Sequence, residues 1–375
     1  MKIKNSEQFN QKTRKIQKPE KIGSYKEEDC IFLLKCINDL VEEVGTLERE
    51  KHIQCGGHYS ELLPIEYMPT EEYMTLYREI LEDSASEIAY YVGVVAELIY
   101  KKKKDQLVIV SLARAGTPIG VLMKRYLKEK YGKDFPHYSI SIIRDRGIDV
   151  NAIFYILSQH EAQGIQFVDG WTGKGVIGDT LKKACKEFEE AYGIWIDDSL
   201  AVLCDSGECT ELYGTRSDYL IPSACLNATV SGLVSRTVLR SDVIGPDDFH
   251  GAKYYKEWEA IDVSNDFVDT LSAYFKTLHI TEVDLLGKEH GKYNAAQSVE
   301  NIKVHFGMDS INRVKPGIGE TTRVLLRRVP WKILVKDKKD PHLKHILLLA
   351  EDRGVEVEEY EDMCYSCCGL IKSLK

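Results

Sequence analysis

Four short runs near the middle of the chain restrict its fold more than anything else. LVIVSL (107–112), YSISII (138–143), IQFVD (165–169) and LAVLCD (200–205) are mostly apolar, and each has the length of one buried strand. The first three are each followed by a turn or polar loop and then a helical pattern: Ile119 to Tyr131, Asn151 to Gln159, and a third ending near Tyr192. Strands joined through helices run parallel, and a parallel sheet is covered on both faces. The expected fold class is α/β, a doubly wound parallel sheet with ligands bound where loops leave the carboxyl ends of the strands.

The flanks are less regular. Residues 1–22 hold seven Lys or Arg against two Glu and read as a basic flexible tail. From Asp29 to Val44 the apolar residues Ile31, Leu33, Leu34, Ile37, Leu40 and Val41 fall at helical spacing, and a second helical pattern runs from about Glu71 to Lys104. These helices would extend the sheet domain, placed at 23–262, with 263–280 as a connecting segment. Residues 281–375 then form a smaller α/β unit: TEVDLL, an Ala-rich helix, IKVHFGMD, a basic helix, WKILV, a helix from His342 to Arg353, and VEVEEY. That unit is polarised, with ten Lys or Arg against three acids in 312–344 and seven acids against one Arg in 351–362. A chain of 375 residues has room for two such domains.

A net charge of −9 excludes a chain-wide basic field, so any nucleic-acid role needs a local patch. The most apolar helical stretch, Tyr90 to Tyr100, is too short to span a bilayer and carries Glu97. No apolar segment follows the basic start, so no signal peptide is expected. Ten cysteines in such a chain read as reduced thiols of a cytoplasmic protein.

Two loops at strand ends suit phosphate. In SLARAGTPIG the small residues Ala115, Gly116 and Thr117 precede a helix, where backbone N–H groups can converge on an anion and Arg114 can add charge-assisted contacts. In FVDGWTGKG, Asp169 can accept from ligand hydroxyls, while Gly170, Trp171, Thr172, Gly173, Lys174 and Gly175 wrap the next helix start. This is neither a Walker A loop nor a GxGxxG fingerprint. Arg144 and Arg146, after the second strand, lie within reach of the same edge. The plain alternative for each loop is a strand–helix turn.

The two loops together resemble those of the phosphoribosyltransferases. With HYSISIIRDRGID, IPSACLNATVSGLVSRT and GPDDFHGAKYY, they are similar to the phosphoribosyltransferase-like proteins of bacterial tellurium-resistance and stress operons, some of which carry the label cysteine protease StiP. The likeness covers 23–262. It implies a pyrophosphate loop at Arg114 to Thr117, a phosphoribosyl loop at Asp169 to Gly175, catalytic roles for Asp169 and Arg114, Mg²⁺ as cofactor, and a phosphoribosyl pyrophosphate ligand. Ordinary members place two adjacent acids before the phosphate loop; here Gly170 follows Asp169.

The label suggests a second reading, a thiol hydrolase with Cys225 of IPSACLNATVSG as nucleophile and His250 of DDFHGAKYY as base. A third is a non-catalytic RNA-binding or nucleotide-sensing protein. The CxxC of Cys364 and Cys367 has no second pair to complete a zinc site, so no metal ligands are assigned.

The carboxy-terminal unit carries KPGIGETTRVLLRR, a Gly-rich turn presenting Glu320 and Thr321 at a helix start with Arg323 and Arg327 behind. It resembles the RNA-binding loop of the Pelota carboxy-terminal domain and the kink-turn-binding ribosomal proteins. Gly317, Glu320, Thr321 and Arg323 match the Gly-x-Asn-Glu pattern and its continuation, and Gly319 replaces the Asn. RNA is the partner this resemblance implies, with a Pelota-like α/β/α fold.

Overall fold

The computed structural model describes residues 6–218, 220–286 and 295–374. The chain opens with α1 (Ser6–Lys15), then β1 (Ile31–Leu33), β2 (Lys35–Cys36), β3 (Glu43–Val44), α2 (Thr46–Gln54) and β4 (Leu63–Pro64). A long helix, α3 (Glu71–Lys103), follows. The Thr70 hydroxyl caps it by accepting from the Tyr73 N–H; Glu71 and Glu72 fill its first turn and Lys101 to Lys103 its last, as the helix dipole favours. Its buried stripe, Ile88, Ala89, Val92, Val95, Ala96 and Ile99, repeats at helical period and lies in the main core.

The predicted alternation then appears: β5 (Val108–Ala113), α4 (Gly116–Tyr131), β6 (His137–Ile143), β7 (Gly147–Ile148), α5 (Val150–Leu157), β8 (Ile165–Thr172), α6 (Val176–Tyr192), β9 (Leu200–Asp205) and β10 (Leu212–Thr215). Among the described residues these form a seven-stranded sheet in the order β1-β6-β5-β8-β9-β10, with β7 hairpinned on β6. Every pair along that path is parallel. The chain leaves β5 toward β6 and returns to β8 on the opposite side, so the loops after β5 and β8 diverge and open a crevice.

Two expectations for the amino-terminal part are corrected. Asp29 to Val44 is not a helix but the strands β1, β2 and β3, because β1 completes the sheet edge by pairing Ile31 with Tyr138 and Leu33 with Ile140. Sheet pairing overrides the helical spacing of a short apolar run. The tail is not wholly free either: α1 docks Phe9 on Phe154 at 5.5 Å between ring centroids, and Lys12 bonds Asp247 at 2.8 Å. Residues 1–5 of the predicted tail lie outside the described residues.

After β11 (Gly251–Ala252), which pairs with β2, comes α7 (Ser264–Ser272). This helix falls in the expected connecting segment, yet it buries Phe267, Val268 and Leu271 in the main core. The carboxy-terminal unit contains α8 (Ala295–His305), β12 (Val314–Pro316), α9 (Ile318–Arg327), β13 (Pro330–Val335), α10 (Lys344–Asp352), β14 (Glu356–Glu359) and β15 (Cys367–Ile371). IKVHFGMD supplies the end of α8. The strands form a sheet in the order β12-β15-β13-β14. Ile318, Leu325, Ile346 and Leu349 join the main core, while Val299, Ile302, Val314 and Leu370 fill a separate one. The molecule is therefore a mixed α/β protein with a mainly parallel central sheet and a separate carboxy-terminal domain packed against it. No described helix is long and apolar enough to cross a membrane.

Candidate functional site

The crevice at the ends of β5 and β8 is closed over by the carboxy-terminal domain, leaving a cavity of about 610 Å³ between the two. Its walls come from α2 and the loop after it, from Ala113 and Arg114, from Asp169 to Gly178, and from residues 310–328. Ten Lys or Arg line it against the four carboxylates of Glu50, Asp145, Asp169 and Glu320. The loop after β8 and the Gly-Glu-Thr-Thr-Arg loop, read as two sites from the sequence, thus face each other across one, with Ala113 and Arg114 the part of the β5 loop that reaches it.

Three bridges hold the walls together. The Arg323 guanidinium lies over the Trp171 ring, 4.5 Å from its centroid. Lys174 donates to the carbonyls of Ile311 at 2.7 Å and Val314 at 3.2 Å. The Tyr365 hydroxyl donates to the Gly173 carbonyl at 3.2 Å. Burial, with Lys315 close by, lowers Lys174 to about 8. Burial would raise Glu320, but Lys315, Arg323 and Lys174 hold it at about 2. Asp169 accepts from the Gly170 N–H at 2.7 Å, and burial pushes its carboxyl up to about 6.

The loop after β5 departs from its expected role. Arg114 is spent on Glu66, in a bidentate pair at 2.6 and 2.8 Å, and on the Val234 carbonyl at 2.8 Å. Thr117 turns inward to Ser139 at 2.7 Å, and a Cβ on Gly116 would collide with the Val168 carbonyl. Gly116 is thus required for contact between α4 and β8, and Ala115, Gly116 and Thr117 do not line the cavity. In the loop after β8, Thr172 donates to Asp205 at 2.5 Å, and Gly175 takes a φ of 80° at the start of α6. Arg144 lines the cavity, held near Tyr59 and Asp145, whereas Arg146 bonds Glu61 and the Leu239 carbonyl outside it.

Cys225 and His250 are not brought together. Cys225 is 1% exposed in the main core beside Tyr73 and Tyr77, where burial pushes its thiol up to about 12. The His250 ring bonds the Ser141 hydroxyl at 2.8 Å and its backbone N–H bonds Asp149 at 2.6 Å, so neither serves Cys225. A buried thiol without a base is a packing residue. Cys55 and Cys209 are the exposed cysteines. Cys55 ends α2, and the next residues, Gly56, Gly57 and His58, line the cavity.

In the carboxy-terminal loop, Gly317 has a φ of 84°, Thr321 is buried with its hydroxyl on the Lys315 carbonyl, and Arg327 bonds Asn227. Sequence reasoning missed Arg49 and Arg236. They stand in unrelated strings, and only the fold gathers them with Arg313, Lys315 and Arg328 of the basic 312–344 run.

Residues 23–272 match the model of the family described as tellurite-like stress resistance cysteine protease StiP. A curated relative, Cysteine protease StiP from Acinetobacter baylyi, is 32% identical over 366 residues, which cover 94% of this chain and 94% of that protein. The chain belongs to the StiP family. Residues 293–373 match the PELOTA RNA binding domain. A crystal structure of a hypothetical protein from Neisseria gonorrhoeae with bound ppGpp is 14% identical, covering 32% of this chain and 66% of that one; its TM-score of 0.22 carries no argument.

These matches correct the transferase expectation. The relative is named for proteolysis by a cysteine, so phosphoribosyl transfer, its enzyme class and its pyrophosphate ligand are set aside. The Mg²⁺ implied by that resemblance also meets unsuitable donors. Asp169 faces Arg323, Glu320 is tied to Lys315 and Arg323, and Asp205 is bonded to Thr172 and to the backbone of Cys209 and Thr210. Among the described residues no group of three or more His, Cys, Asp or Glu could hold a metal ion.

Proposed function

We propose that this StiP-family protein is a thiol hydrolase of tellurite-like stress resistance that holds RNA in the cleft between its two domains. The observation that carries the RNA half is the cavity wall, with ten cations against four carboxylates in a chain whose net charge is −9. A local field of that sign suits a polyanion and opposes the rest of the surface. Trp171 and Arg323 add an aromatic and a planar cation on which an unstacked base can lie, and the PELOTA match supports RNA as the polyanion. Single-stranded RNA should bind at low salt with an affinity that falls steeply as salt rises. Lys315→Ala and Arg323→Ala should each weaken it, and salt-insensitive binding, or none, sinks the RNA half.

The hydrolase half rests on the relative's name and on where the thiols lie. Cys225 is buried without a base, whereas Cys55 is exposed at the edge of the cleft. His52 lies three residues before it in the last turn of α2, and Cys55 is the residue that caps that helix, so the two side chains stand within one turn of each other along the chain. The His52 ring is held by the Glu61 carboxylate at 3.3 Å, which supplies an orienting group. In this reading Cys55 is the nucleophile, His52 the base that takes its proton, and Glu61 the group that fixes the imidazole. Cys55→Ala should abolish peptide hydrolysis and Cys225→Ala should retain it. The reverse pattern would return the role to Cys225.

A further inference from the structure

Part of the cavity wall holds more positive charge than the protein neutralises. Arg49, Arg114, Arg236, Arg327 and Arg328 all line it. Glu66 takes Arg114 in a bidentate pair, and Glu50 takes Arg328 at 2.6 and 3.0 Å. Three guanidinium groups remain. Arg49 is 4% exposed and makes one long contact, 3.5 Å, to the Arg327 carbonyl. Arg236 lies over the Tyr59 ring at 4.4 Å. Arg327 bonds Asn227 and comes no nearer than 4.0 Å to a Glu66 already held by Arg114. The Nε atoms of Arg49, Arg236 and Arg327 are buried with no hydrogen-bond partner.

Arg49 is buried and Arg236 and Arg327 are half-buried; cations withdrawn from water without a counter-charge are costly, and a folded chain keeps them where an anion completes the set. The anion's charge can be argued from theirs. An internal phosphodiester carries one negative charge and has chain on both sides. A terminal monoester carries close to two charges at neutral pH, presents three free oxygens, and needs room for chain on one side only. Three guanidinium groups in one recess match the second.

We infer that Arg49, Arg236 and Arg327 form a receptor for a terminal phosphate monoester, so that the cleft takes RNA by a phosphorylated end. This rests on the RNA reading above and specifies which part of the RNA is recognised. Arg323, Lys315 and Lys174, nearer Trp171, then serve the following nucleotides.

The test uses the full chain and one oligoribonucleotide sequence in three forms: 5′-phosphate, 3′-phosphate, and hydroxyl at both ends. Fluorescence anisotropy should show one phosphorylated form binding at least about tenfold tighter than the hydroxyl form, the scale of one lost charge-assisted contact. Which form wins identifies the end. Arg236→Met and Arg49→Gln should bind all three forms alike, while thermal melting shows that they remain folded. Equal binding of the three forms by the wild-type chain overturns the receptor and leaves the RNA reading standing. Binding of none overturns the RNA reading and the receptor with it. If inorganic phosphate raises the melting temperature of wild type but not of Arg236→Met, while the oligoribonucleotide ends make no difference, the receptor serves a free anion and the RNA-end assignment falls.

Discussion

The Asp218 carboxylate accepts a hydrogen bond from the backbone N–H of Ile318 at 3.0 Å, so the first turn of α9 is capped by a residue of the other domain. Gly317, at the N-cap position of α9, offers no side chain for the purpose. The second Asp218 oxygen accepts from the Ser366 N–H at 2.9 Å, so one carboxylate ties the β9–β10 side of the large sheet to two elements of the carboxy-terminal domain. Asp218→Ala would leave both N–H groups without that partner. It should destabilise the docked state by about 3–6 kcal/mol, since two hydrogen bonds to a charged group are lost and each contributes roughly 1.5–3 kcal/mol. Thermal melting of the variant, with proteolysis reporting whether the carboxy-terminal domain separates first, checks the claim.

The same residue gives the interface a pH dependence. Burial raises Asp218 to about 6 against the bonds from Ile318 and Ser366, which lower it. A carboxyl raised on folding contributes stability that is complete below its unfolded value, about 4, and is lost as pH rises through about 6. Asp169 has the same sign for the same first cause. Melting temperature should therefore show a component that declines between about pH 4 and pH 7, and the double variant Asp169→Asn with Asp218→Asn should lose it.

RNA binding should fall over a wider range. As Asp169 ionises near 6 it places a negative charge beside Arg323, and as Lys174 deprotonates near 8 a cation leaves the wall between Lys315 and Glu320. Both changes oppose a polyanion. Affinity measured at fixed low salt should decline in two steps between about pH 5 and pH 9. Asp169→Asn should remove the lower step alone.

Gly319 explains a departure visible in the sequence. The Pelota-like pattern carries Asn at this position, but here a Cβ would collide with the indole of Trp171, which belongs to the other domain. The glycine permits the close approach that lets Arg323 cover Trp171. Gly319→Asn should push the two walls apart, changing Trp171 fluorescence and weakening RNA binding several-fold. Adding Trp171→Ala should relieve the collision without restoring the lost stacking surface.

That residue also marks what a one-dimensional reading can reach. β5, β6, β8 and β9 were legible because buried parallel strands are short apolar runs, and α3 because its stripe repeats over many turns. The loops ending at Arg114 and Gly175 were legible as strand–helix junctions. Whether Arg114 was free could not be read, since Glu66 lies far along the chain and only folding brings it to 2.6 Å. The edge strand β1 was mistaken for helix because its pairing with Tyr138 is a long-range event. Arg49 and Arg236 carry no local signal at all; their meaning is a charge imbalance that exists only when both meet Arg327.

Thiol reactivity separates the two cysteine assignments without a substrate. Cys225 is 1% exposed with its thiol pushed up to about 12, so alkylation must await opening of the core. Cys209 is exposed, but burial of its sulfur and the nearby Asp205 push it up to about 11, leaving little thiolate at neutral pH. Cys55 is exposed at the end of α2, three residues beyond His52. Iodoacetamide followed by peptide mass spectrometry should therefore modify Cys55 first, Cys209 more slowly, and Cys225 only in denaturant. RNA bound in the cleft should slow the reaction at Cys55, because Gly56, Gly57 and His58 line that cavity. Rapid labelling of Cys225 in the native chain would mean that its core opens readily, and would make it the nucleophile to pursue.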